Sequence, residues 1–186
     1  MTKAIVSMSL AGAFLIALAG CQTEPRTPQD RASLDDQVRS SLSTFQNEDA
    51  GINDWLSKSY AYVVFPSIGK GGAIVGGAYG RGEVYEQGRF IGYADLTQAT
   101  IGAQLGGQTF AELLCLENRE TLDTFRSGKF KFAANASAVA MKAGASATNR
   151  FTNGVAVFTR SQGGLMIEAA IGGQQFTFIP ASAPAR

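Results

Sequence analysis

The chain is predicted to fold as an α+β protein: N-terminal helices packed on a glycine-rich, mostly antiparallel sheet, barrel-like in outline, with one short internal helix. Three observations predict it. Between positions 30 and 48 the apolar residues recur at helical spacing. From Tyr60 onward the sequence turns to short β-branched and aromatic runs broken by glycine. Twelve of the 22 glycines fall between Gly69 and Gly107, a density that implies bulges, tight bends or closely approaching strands. Helices first and strands afterwards is the α+β order.

Each element has its own signal. Thr27 supplies a hydroxyl N-cap, Pro28 fits the first helical position, and Asp30 stands third, so a helix opens there. Leu34, Val38, Leu42 and Phe45 then form one apolar stripe, and the helix ends near Glu48. A shorter helical segment, Asn53 to Ser59, carries the single tryptophan, Trp55. Tyr60 to Phe65 reads as a strand that Pro66 should stop. Strand-like pieces follow at Ala73–Tyr79, Gly82–Tyr85, Phe90–Ala94 and Ala99–Leu105, with Gln87-Gly88 marking a hairpin turn. Asn118 caps a short helix whose Leu122 and Phe125 face inward and which Gly128 closes. Lys129 to Phe132 alternates as a half-buried strand should. Gly154–Arg160, Leu165–Ile171 and Gln174–Ile179 complete the strands, and Gly172-Gly173 is a hairpin signal.

The first 21 residues have the layout of a secretory signal: Lys3, then an uncharged apolar run from Ala4 to Gly20, then a cysteine. Leu18-Ala19-Gly20-Cys21 resembles the lipobox of bacterial lipoproteins, in which the cysteine is acylated and becomes the mature N-terminus. The expected organisation is a lipoprotein signal peptide over 1–20, then a lipidated N-terminus and flexible tether over 21–29. A domain over 30–180 and a tail over 181–186 follow. The expected place is the cell envelope, lipid-anchored and facing the periplasm. Gln22 is not the aspartate associated with inner-membrane retention, which favours the outer membrane.

Composition narrows the chemistry. The leader holds one of the 16 Lys+Arg and none of the 15 Asp+Glu, so the remainder is formally neutral and has no global footprint for nucleic acid. Histidine is absent, which removes Ser-His-Asp and Cys-His catalysis and the commonest zinc sites. With Cys21 lipidated, Cys115 stands alone in an apolar run and reads as a small buried residue. Gly69-Lys70-Gly71-Gly72 is no phosphate loop, because Val64 and Gly71 stand where a glycine and a Ser or Thr are needed. Gly80-Arg81-Gly82 does not continue into a dinucleotide fingerprint. No enzyme, metal or cofactor is indicated.

Several separated motifs then point one way. Ala61-Tyr62-Val63-Val64-Phe65-Pro66-Ser67-Ile68-Gly69-Lys70-Gly71-Gly72 and Gly76-Gly77-Ala78-Tyr79-Gly80-Arg81-Gly82 are one block. Thr100 to Gln108, Leu122-Asp123-Thr124-Phe125 and Gln162-Gly163-Gly164-Leu165-Met166 follow in order. Together, over about residues 50–179, they resemble the SYLF domain family. The resemblance implies a binding module rather than an enzyme. Eukaryotic members bind phosphoinositide membranes through basic residues and an amphipathic N-terminal segment, and fungal members bind actin filaments. Bacterial members are secreted or lipidated envelope proteins, sometimes called lipid-binding. A bacterial envelope offers no actin, so that activity is not carried over.

Basic residues bracketing the glycine-rich strands are the candidate lipid-headgroup site: Lys58, Lys70, Arg81 and Arg89. Arginine suits bidentate phosphate contact and lysine a point-charge contact. The helix over 30–48 carries Asp30, Asp35, Asp36 and Glu48 against Arg31 and Arg39, so packing on the sheet is favoured over lying on a membrane. Glu112, Glu117, Glu120 and Asp123 are expected from an amphipathic strand leading into a helix, and Gln104 and Gln108 share a strand face in a structural role. The expected function is non-catalytic lipid or membrane binding, with anionic headgroups as partners. The other reading is a scaffold that holds a protein partner.

Overall fold

The computed structural model describes residues 25, 27–72, 75–101, 108–129, 151–161, 164–165 and 173–182. Helix α1 (Pro28–Glu48) opens with a full capping box: Thr27 Oγ1 accepts from the Asp30 amide and Asp30 Oδ2 from the Thr27 amide, both at 3.1 Å. Helix α2 (Gly51–Lys58) follows almost at once. The strands are β1 (Ala61–Gly72), β2 (Val75–Glu86), β3 (Arg89–Ile101), β4 (Gln108–Leu116), β5 (Val155–Ser161), β6 (Gly164–Leu165) and β7 (Gln174–Pro180). Helix α3 (Arg119–Arg126) lies between β4 and β5, capped by Asn118, whose side chain accepts from the Thr121 amide at 2.9 Å.

The seven strands form one sheet in the order β6-β5-β4-β1-β2-β3-β7, antiparallel at every pairing. The α+β prediction holds, and so does the inward stripe of α1, but the strands are longer than expected. β1 does not stop at Pro66. Its register slips between Phe65 and Ile68 against β4, and between Val64 and Ile68 against β2. Pro66 and Ser67 pair on neither side, so the missing N–H of proline costs the ladder no bond. β2 likewise runs unbroken through Gly80-Arg81-Gly82. A Cβ on Gly80 would stand 2.6 Å from Ile68 Cγ1, and one on Gly82 would meet the Val64 carbonyl oxygen and stand 2.8 Å from Phe65 Cδ1. These glycines make room for the bulged part of β1. Of the strand expected at Lys129–Phe132 only Lys129 is described, in no strand; its remainder, most of Leu165–Ile171 and the turn residue Gly172 lie outside the described residues.

Strand parity divides the apolar residues between two faces. On the outer face, Val38 and Phe45 of α1 and Ile52 and Trp55 of α2 cover Val64, Leu113, Cys115 and Phe158. On the inner face, Val63, Phe65, Ile68, Leu96, Leu114 and Leu116 meet Leu122 and Phe125 of α3. Phe176 of β7 joins that inner core, with ring centroids 5.8 Å from Phe65 and 5.5 Å from Phe125. Two strands separate β7 from β1 in the sheet, so this contact means that the sheet curls over its own inner face. Among the described residues the curl stays open, with β6 and β7 as its ends.

Candidate functional site

The turn between β2 and β3 is built from Gln87 (φ 50°) and Gly88 (φ 75°). Positive φ at both positions is the type I′ geometry that suits the twist of a hairpin. The Gln87 amide donates to the Tyr60 carbonyl at 3.0 Å, which ties this turn to the start of β1. A cleft of about 540 Å³ opens beside it, lined by Lys58, Tyr60, Tyr62, Gln87, Gly88 and Glu117 among others. Lys58 stands at the C-terminal end of α2, where a cation faces the negative end of the helix. Arg89 follows the turn directly and is exposed. One end of the domain therefore carries both Lys58 and Arg89.

An aromatic ladder rises from the same end. Tyr62 stacks on Tyr85 at 4.9 Å, Tyr85 meets Phe90 at 6.0 Å, and Phe90 meets Tyr93 at 5.1 Å. Phe90 is 40% exposed although it is a large apolar ring. It sits immediately after Arg89, and strand pairing holds it against the Tyr85 position.

The other two basic candidates are placed differently. Arg81 lies mid-sheet opposite Asp95, with Nε 2.7 Å from Oδ1 and Nη2 3.0 Å from Oδ2. This fork-to-fork pair, with Tyr79 Oη accepting from Nη2 at 3.1 Å, holds the guanidinium above its ordinary pKa through the Asp95 hydrogen bonds. Lys70 is 7% exposed and shares the inner face with Ile68. The four candidates thus do not form one patch: Lys58 and Arg89 share the end of the domain at the β2–β3 turn, Arg81 is engaged with a carboxylate, and Lys70 points inward. Cys21 and Gln104 lie outside the described residues, and of Gln108 only the backbone is described.

Glu112 is the polar residue whose setting composition did not disclose. It is fully buried on the inner face, and burial lifts its carboxyl to about 7 against the lowering effect of a hydrogen bond from Gln174. Its parity with Leu114 and Leu116 was the available signal. Glu117, Glu120 and Asp123 are exposed, as expected of a helix entry. Cys115 is buried, and burial pushes its thiol up to about 12. Among the described residues no three His, Cys, Asp or Glu side chains gather as a metal site, and no helix is long and apolar enough to cross a membrane.

Comparison with known proteins agrees with the motifs. The chain is 23% identical over 155 residues to Beta cell expansion factor A of Aeromonas veronii, an alignment covering 82% of this chain and 59% of that protein. The chain thus spans about three fifths of the length of that relative. Residues 97–178 match the model of the Ysc84 family, described as Las17-binding protein actin regulator. The matched stretch, from within β3 through β4 and α3 into β7, is similar to the Ysc84, or SYLF, family.

Proposed function

We propose that this chain is a non-catalytic lipid- or membrane-binding domain of a bacterial cell-envelope protein, anchored by lipid on Cys21 and facing the periplasm from the outer membrane. The observation that carries the reading is the end of the domain at the β2–β3 turn, which carries Lys58, Arg89 and the exposed Phe90. A cation near an anionic surface contributes about 1 kcal/mol, and an aromatic ring suits the headgroup boundary. Lys58 and Arg89 are the headgroup contacts in this reading. Arg81 already holds Asp95 and Lys70 is buried, so both act chiefly within the fold. A multiply acylated Cys21 suffices for anchoring, so the lipid bound by the domain is another one, on an opposing surface or in transit.

The test is pelleting of residues 22–186, free of the acyl group, with anionic and with neutral vesicles at low salt. Anionic vesicles should carry the domain down, and Lys58→Ala with Arg89→Ala should weaken binding roughly 30-fold, two contacts of about 1 kcal/mol each. A domain that ignores anionic vesicles refutes the reading. Palmitate labelling of the wild type and Cys21→Ser checks the anchor; equal labelling refutes it.

A scaffold that holds a protein partner is the second reading. Tyr79, 51% exposed on the outer face of β2, favours it. Protein capture that survives Lys58→Ala and Arg89→Ala but fails with Tyr79→Ala would support that reading over the first.

A further inference from the structure

The inner face of the curl is apolar except for a few buried polar side chains, and two of these touch. Gln174 Nε2 donates to Glu112 Oε2 at 3.0 Å, with Glu112 at 0% and Gln174 at 1% exposure. The strands that carry them are not neighbours: β1, β2 and β3 lie between β4 and β7 in the sheet. The bond therefore crosses the interior and closes the curl from one wing to the other.

The pair is incomplete as it stands. Glu112 Oε1 and Gln174 Oε1 are both buried without a hydrogen-bond partner. An ionised carboxylate only accepts, so it leaves both oxygens orphaned and their desolvation uncompensated. A carboxylic acid brings one donor, and the amide oxygen of Gln174 is the unsatisfied acceptor on its own partner. One proton thus makes the pair reciprocal, with N–H to oxygen in one direction and O–H to oxygen in the other.

The surroundings favour that proton. Beside Glu112 in the ladder stand Phe65 of β1 and Thr159 of β5, neither of which carries charge. The inner positions of β2 nearest the bulge are Gly80 and Gly82, and those of β3 are Ala94 and Leu96. α3 sends in Leu122 and Phe125 while Arg119, Glu120, Asp123 and Arg126 stay exposed. Among the described residues the charged groups at inner-face positions are Lys70 of β1, paired with Gln108 and so four residues along β4 from Glu112, and Glu86 and Arg89, which face each other at the β2–β3 turn beyond Ala61. Burial raises the Glu112 carboxyl and the Gln174 hydrogen bond lowers it.

We propose that Glu112 and Gln174 are a proton-operated latch between β4 and β7, shut while Glu112 is protonated and loosened when it ionises. The sign follows from linkage. The carboxyl titrates near 7 in the closed fold and near 4.5 when exposed. Its stabilisation is full below the exposed value and is lost as pH rises through the closed one. The inner face is sealed most tightly in acid.

Hydrogen exchange on the whole protein tests the latch, each amide being referred to its intrinsic rate at the same pH. Between pH 4.5 and 8, protection of the β7 amides should fall on the order of a hundredfold in the wild type. In Glu112→Gln, whose neutral amide keeps the reciprocal pair without a titrating proton, it should stay flat. β7 protection that changes equally in both overturns the proposal. Carbon NMR of the Glu112 carboxyl in the unaltered protein decides the matter even if the variant fails to fold: a midpoint near 7 supports the latch, and one near 4.5 overturns it.

Discussion

Truncating Phe176 to alanine tests whether the sheet curls as described. The ring is buried between Phe65 of β1 and Phe125 of α3, at centroid distances of 5.8 and 5.5 Å, both within the range of favourable aromatic pairing. No neighbour in the sheet order can refill the space, because β7 reaches this core by crossing over it. Phe→Ala at such a site costs about 3–5 kcal/mol, a large part of the roughly 5–15 kcal/mol that holds a domain together. With a urea slope of about 2 kcal/mol per molar, the midpoint should drop by about 2 M.

Trp55 is a built-in reporter, since the chain has one tryptophan and it packs edge-on against Phe151 at 4.9 Å and Phe158 at 5.6 Å. It lies on the outer face, away from Phe176, so a shift in its fluorescence transition also shows that the two layers unfold together. The double-mutant cycle with Phe65→Ala should return a coupling of about 0.5–1.5 kcal/mol. Phe90→Ala, at an exposed ring, should cost less than about 1 kcal/mol. A loss at Phe176 no larger than that at Phe90, or a coupling with Phe65 indistinguishable from zero, would refute the crossing of β7 over β1.

Three other perturbations have definite outcomes. Gly82→Ala should destabilise by about 2 kcal/mol or more in urea melts, because the new methyl meets the Val64 carbonyl and Phe65, whereas Gly69→Ala, with open space around it, should change stability by less than about 0.5 kcal/mol. Thr27→Ala removes one half of the α1 capping box and should cost about 1 kcal/mol, read by thermal melting followed by circular dichroism. Cys115, with its thiol held up to about 12 by burial, should react with maleimide only as fast as the domain opens; rapid labelling of native residues 22–186, which lack Cys21, at pH 7 would contradict the placement of β4 under α1 and α2.

Much of the fold could be read because its signals are local. The cap at Thr27, the stripe from Leu34 to Phe45, the turn at Gln87-Gly88 and the inward pair Leu122 and Phe125 each depend on neighbours a few residues away. What escaped the reading depends on strands that meet only in three dimensions. Pro66 looks like a stop unless one knows that a bulge removes it from both ladders. Gly80 and Gly82 look like breaks until the bulk of Ile68 and Phe65 is seen beside them. The candidate site divided for the same reason: position along the chain grouped Lys58, Lys70, Arg81 and Arg89, and strand parity and register then separated them. Parity would also have placed Glu112 inside with Leu114 and Leu116, had the acidic run around it not resembled an ordinary helix entry.

The place of β1 in the sheet has a consequence for how the chain reaches this structure. Its partner on one side, β2, follows at once, so the meander from β1 to β3 closes only short loops. Its partner on the other side, β4, arrives after that whole meander, and the cluster under α1 and α2 is completed by Phe158, more than a hundred residues after Phe45. The helices that come first in the chain meet β1 and β2 early, but the cluster beneath them is complete only when β5 arrives. Closing such distant contacts is slow because the loop entropy is lost before the packing is gained. A nascent chain that ends before β5 lacks Phe151 and Phe158, the two rings that pack edge-on against Trp55, and leaves the tryptophan only partly covered until they arrive.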